Sequence, residues 1–290
     1  MIYQTAQDWR GADHKRLLLF GMSGLGKTHV SNALRAGGDW FHYSIDYRIG
    51  TRYMGEHIAD NFKREAMKVP LLRDLLMTDS VRITSNITFD NLAPLSTYLG
   101  KPGDPARGGL PFAEYQRRQD QHRSAEVAAL LDTPRFIERA HALYGYAHFV
   151  CDSGGSICEV VDPEDAADPV LRRLADELLM VWIEGTEADT ADLVRRFDRN
   201  PKPIYYQPDF LGEIWARYLA ENRLDAAEVD PDAFLRWGYA QVLAHRQPRY
   251  RAIARNWGVT VAAGDIARVR NAEDVTEVVA RALEARRSAP

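Results

Sequence analysis

The chain has 290 residues, 46% of them hydrophobic, with a formal net charge of -4 and only two cysteines. That content supports a sizeable core in one large domain or two small ones. The mild acidity argues against nucleic acid as an electrostatic partner, two thiols cannot build a disulfide framework, and their spacing fits no zinc pattern. Cys151 and Cys158 are therefore expected to be reduced thiols. No signal peptide is visible at the start and no apolar run approaches the ~18 residues of a membrane span. The expected location is cytoplasmic, without a membrane partner.

Five short apolar runs read as strands: Leu17–Phe20, Trp40–Ile45, Ala147–Cys151, Leu178–Ile183 and Val259–Ala262. Each is nearly continuous in apolar residues, as strands buried on both faces of a parallel sheet are. Between the first two, Val30, Ala33 and Leu34 repeat at helical spacing until Gly37-Gly38. Asp168-Pro169 supplies a cap and a first-turn proline for a helix through Glu177, and Asp230-Pro231 does so for Asp232–Ala244. Asn271 caps a last helix with the stripe Val275, Val278, Val279 and Leu283. Strands alternating with helices predict an α/β fold with a mainly parallel five-stranded sheet in three layers.

Two stretches break the alternation. Residues 61–140 carry helical signals and a turn-rich loop, Gly100–Pro105 with Gly108-Gly109, and read as an inserted substrate-side region. Residues 195–250 contain the broken segment Asn200-Pro201-Lys202-Pro203 and then aromatic-rich helices, which read as an extended lid. The expected organisation is one domain. Its core is about 14–60, 141–194 and 251–290. The aromatic stretch Tyr205-Tyr206 to Trp215 and Tyr218 is expected to be core, as is His148 inside its strand.

The most specific motif is Gly21-Met22-Ser23-Gly24-Leu25-Gly26-Lys27-Thr28, which matches G-x-x-x-x-G-K-[ST] between a strand and a helix. Glycines let the backbone turn tightly and form an anion-binding nest, and the helix N-terminus adds partial positive charge. Lys27 can reach the outer phosphates of ATP, and the Thr28 hydroxyl can ligate Mg²⁺. Asp152, at the end of the third apolar run, is the expected carboxylate for that metal. No N-K-x-D guanine motif occurs, which favours ATP over GTP.

Asp46, after the second run, is followed by Arg48 and Arg52. A carboxylate that takes a hydroxyl proton beside cations that hold an anion suits a phosphoryl acceptor. Gly154-Gly155 after Asp152 permits close approach of backbone to a ligand. Arg195, Arg196 and Arg199 follow the fourth run, where a mobile arginine could close over the γ-phosphate.

Together these residues resemble the shikimate kinase and gluconate kinase group of P-loop kinases. The resemblance rests on Gly21–Thr28, on Asp46 with Arg48 and Arg52, on Gly154-Gly155, and on Arg249-Tyr250-Arg251-Ala252-Ile253-Ala254 ahead of the last strand. It implies a P-loop NTPase sheet with a lid, and adenine contacts around Gly264-Asp265. The chain departs from the group in having Ser44 and Asp46 where it has two acids, two glycines where it has three, and a far longer segment at 61–140. The expected activity is transfer of the ATP γ-phosphate to a small hydroxylated, anionic acceptor, with Lys27, Asp46 and a lid arginine as catalytic groups. The alternatives are a nucleotide-dependent ATPase or regulator acting on a protein partner, and a kinase acting on a nucleic-acid end.

Overall fold

A computed structural model describes residues 1–288. The five expected strands are present as β1 (Arg16–Phe20), β2 (Trp40–Ser44), β3 (His148–Asp152), β4 (Leu179–Glu184) and β5 (Gly258–Ala262). They form one sheet in the order β2-β3-β1-β4-β5, and every pairing is parallel. Leu17, Leu18, Leu19 and Phe20 on β1 and Leu179 to Ile183 on β4 are all buried, which is why these segments carry no alternation of polar residues. Burial at roughly 25 cal/mol per Å² of apolar surface makes this the densest source of stability in the chain.

The chain divides into two compact units. The first comprises Met1–Ile45, Leu130–Asn200 and everything from Arg236 onward, and the second comprises Asp46–Ala129 and Pro201–Leu235. The first holds the sheet and its flanking helices, among them Lys27–Ala36, Pro169–Ala175, Glu187–Arg199 and Ala272–Ser288. Their caps follow the sequence signals. The Asp168 carboxylate accepts from the amides of Val170 and Leu171, and Asn271 Oδ1 accepts from Asp274.

The helix opened by Asp230-Pro231 does not end near Ala244. It runs from Pro231 to Trp257 with Pro248 inside it, so Arg249–Ala254 is helical and leads straight into β5. A proline removes one helical bond and normally ends a helix. Here tertiary bonds hold the turn: Arg249 donates to the carbonyls of Cys158 (2.6 Å) and Val161 (2.8 Å).

The second unit is helical, with Gly55–Ala66, Pro70–Met77, Ala93–Leu99, Phe112–Leu131 and Pro208–Asn222. The helix Phe112–Leu131, in this unit up to Ala129, buries polar side chains: Arg118, Gln119, His122 and Glu126 beside Tyr115. Much of this stripe grips the extended segment at 201–207. Gln119 accepts from the Tyr206 amide (2.9 Å) and donates to Ile204 O (3.3 Å), and His122 stacks on Tyr205. Arg118 donates to Tyr98 O, Glu114 and Asn61. The expected aromatic core holds, since Tyr205, Tyr206, Trp215 and Tyr218 are all buried.

The turn-rich stretch at 100–110 is a pinned loop. Gly103 donates to Leu110 O and Leu110 to Lys101 O, while Asp104 donates to Val229 O. A side chain at Gly103 (φ +137°) would lie 2.4 Å from Val229 O, so only glycine permits this approach. Among the described residues no helix is long and apolar enough to cross a membrane.

Candidate phosphate site at the end of β1

The loop Gly21–Gly26 connects β1 to the helix Lys27–Ala36, as its sequence requires. Gly21, Gly24 and Gly26 all have positive φ (130°, 88° and 102°), which L side chains rarely adopt. Packing enforces two of them. A Cβ on Gly21 would sit 2.8 Å from Ile183 O, and one on Gly26 would sit 2.7 Å from Ile266 Cγ2.

Lys27 is buried, and its ammonium donates to the carbonyls of Gly21 (2.8 Å) and Met22 (3.1 Å). These bonds fold the side chain back along the loop it follows and bring its charge to the entrance of the loop. A glycine turn of this conformation, with an ammonium beside it at a helix N-terminus, fits a polyphosphate. Ser23 and Gly24 are exposed, Met22 and Leu25 are buried, and Thr28 is exposed at the helix start.

Asp152 is the last residue of β3 and pairs in register with Leu19 of β1 and Ser44 of β2. It therefore leaves the sheet at the same edge as the loop. His42 Nε2 lies 3.9 Å from Asp152 Oδ2, too far for a hydrogen bond. Burial, with Arg35 nearby, lowers the His42 pKa to about 4. At neutral pH this imidazole is uncharged and is no counter-ion to Asp152. Among the described residues there is no cluster of three or more His, Cys, Asp or Glu fit to hold a metal. One carboxylate and one hydroxyl suit Mg²⁺, which takes its remaining ligands from phosphate and water.

Of the three lid arginines, Arg196 meets the loop. A Cβ on Gly24 would lie 3.5 Å from its Nη2. Arg195 is exposed and paired with Asp192, and Arg199 is exposed in the last turn of the same helix. Gly154 and Gly155 lie directly after β3, and Gly155 is drawn against Ser23 of the loop. The segment expected to contact adenine is the short helix Ala263–Ile266 rather than a loop, and its Ile266 packs on Gly26.

The acceptor-side residues fall in the second unit. β2 ends at Ser44, and Asp46 lies in the short helix Ile45–Arg48 that follows it. Arg48 stands over the Tyr53 ring, 5.5 Å from its centroid, and Arg52 is exposed. Cys151 and Cys158 are free and buried, with burial raising both thiol pKa values. His148 is half-buried in β3 and accepts from the Lys15 amide.

The sequence reading misses Arg246. This buried residue, on the helix Pro231–Trp257, donates from Nε to the fully buried Glu159 (2.8 Å) and reaches Gly155. No local pattern in the sequence links Arg246 to Glu159, 87 positions away. A cavity of about 440 Å³ between Arg16, His148 and the helix Thr133–Tyr144 lies at the opposite, N-terminal ends of β1 and β3, away from this chemistry.

The strand–loop–helix geometry and the all-parallel order β2-β3-β1-β4-β5 are consistent with a P-loop NTPase fold. Comparison with protein-family models, curated proteins and solved structures finds no match to this chain.

Proposed function

We propose that the chain binds ATP with Mg²⁺ at Gly21–Thr28 and transfers the γ-phosphoryl group to a small hydroxylated, anionic acceptor, in the manner of the shikimate and gluconate kinase group. The observation that carries this reading is the loop itself. Three positive-φ glycines and the Lys27 ammonium are held together in the turn between β1 and its helix. Lys27 neutralises the outer phosphates. Thr28 and Asp152 hold Mg²⁺, directly or through water, and the metal supplies charge neutralisation on the phosphates. Arg196 adds positive charge beside Gly24 and helps to keep water from the γ-phosphate.

Asp46 is the proposed group that orients or deprotonates the acceptor hydroxyl, with Arg48 and Arg52 holding its anion. It follows by two residues Ser44, the register partner of Asp152. The test is ADP release from Mg-ATP against fractionated metabolite pools. One fraction is expected to stimulate turnover, and Lys27→Ala to abolish it. Stimulation that survives Asp46→Asn rules out the acceptor role of Asp46.

One observation favours the alternative, a nucleotide-dependent regulator. The helix Pro70–Met77 buries none of its residues and exposes Leu71 and Met77, and exposed apolar patches of this kind suit a protein partner. Slow hydrolysis indifferent to every fraction would support it.

A further inference from the structure

The helix Ile157–Val160, directly after Gly154-Gly155, carries Glu159. The helix Pro231–Trp257 carries His245 and Arg246 far along the chain. The fold brings the three together. Arg246 Nε donates to Glu159 Oε1 at 2.8 Å, and His245 Nε2 lies 3.2 Å from Glu159 Oε2. The buried carboxylate holds the guanidinium by the Nε edge through one oxygen, and the imidazole stands against the other. One turn on, the Tyr250 hydroxyl donates to Gly155 O, and Arg249 grips the carbonyls of Cys158 and Val161. The whole helix face is thereby fixed to the glycine segment.

Gly155 shows what the held arginine faces. The point where its Cβ would stand is 3.5 Å from Arg246 Nη1, 3.4 Å from Ser23 Oγ and 3.5 Å from Ser23 N. A guanidinium, a hydroxyl and a backbone amide converge there, and Ser23 is the third residue of the phosphate loop. Stability does not require such a pair: a buried ion pair is often no better than well-packed apolar residues. Burial, the largest single influence, would raise the Glu159 pKa, but Arg246 and His245 together outweigh it and hold the value below the ordinary carboxylate range.

We infer that Glu159 and His245 are positioning residues that present Arg246 to the terminal phosphoryl group of a nucleoside triphosphate at Ser23 and Gly155. This rests on the phosphate-loop reading above. On this inference Arg246 contributes only when the outermost phosphate is present, and the site distinguishes triphosphate from diphosphate.

The test is calorimetric affinity of the full chain for Mg-ADP and for Mg-AMP-PNP. The wild type is expected to prefer AMP-PNP. Glu159→Gln and Arg246→Lys should each lose about tenfold in AMP-PNP affinity, the size of one charge-assisted hydrogen bond, while ADP affinity stays within about twofold. Gly155→Ala serves where a buried-charge variant does not fold. Its new methyl makes only ordinary contacts at 3.4–3.5 Å, yet it fills the convergence point and should erase the preference. Equal loss for both nucleotides, or a preference kept in Arg246→Lys and Gly155→Ala, overturns the inference alone. No binding of either nucleotide by the wild type overturns the phosphate-loop reading and this inference with it.

Discussion

The central strands of the first compact unit and the long helix of the second bury different chemistry. In β1 and β4 the buried residues are all apolar (Leu, Phe, Met, Val, Trp and Ile), with polar residues at the strand ends. The second buries Arg118, Gln119, His122 and Glu126 along one face of Phe112–Leu131. Apolar packing is non-directional and tolerates repacking, whereas a buried polar stripe holds only while each group keeps its partner. The strand core should therefore fail through cavities and the polar helix face through lost hydrogen bonds.

The largest effect expected from this contrast is at Leu18, fully buried in the central strand β1. Leu18→Ala should cost about 3–5 kcal/mol in urea unfolding, the sum of lost transfer energy and a cavity. A cost below about 1 kcal/mol would mean that the sheet interior repacks freely.

Next is the pH dependence of the first unit. His42 has its pKa lowered from 6.5 to about 4, by burial first and then by Arg35. Between those values the unfolded chain takes up a proton that the folded chain refuses, so stability falls as pH drops from about 6.5 to 4. The upper limit is about 3 kcal/mol. His42→Gln should flatten unfolding free energy across that window. An unchanged slope would place the acid sensitivity elsewhere.

A smaller effect is expected in the second unit. Gln119→Ala removes the acceptor for Tyr206 N and the donor to Ile204 O, at about 1–3 kcal/mol. Hydrogen exchange at the Tyr206 amide should accelerate. A stable variant with Tyr206 still protected would show that packing, and not the polar stripe, secures the segment.

The same contrast explains what could be read from the sequence. All five strands were legible because a strand buried on both faces is a local apolar run. Gly21–Thr28 was legible because the chemistry sits in consecutive residues. The face of Phe112–Leu131 was not, since Arg118, Gln119, His122 and Glu126 look like a solvated helix until tertiary partners are known. Pro248 suggested a helix end near Ala244, and the bonds from Arg249 to the Cys158 and Val161 carbonyls that let the helix continue are made to residues about ninety positions away. Arg246 was hidden for the same reason. Asp46, Arg48 and Arg52 were named from spacing, and the structure places them just past β2 in the second unit.

The central claim is that the turn between β1 and its helix wraps a polyphosphate. Calorimetric titration of the chain with Mg-ATP, beside Lys27→Ala, addresses it directly. The wild type should bind with a dissociation constant in the micromolar range, weaken when Mg²⁺ is chelated, and lose at least about a hundredfold on removal of the Lys27 ammonium. Absence of heat with the wild type, or equal affinity in Lys27→Ala, would contradict it.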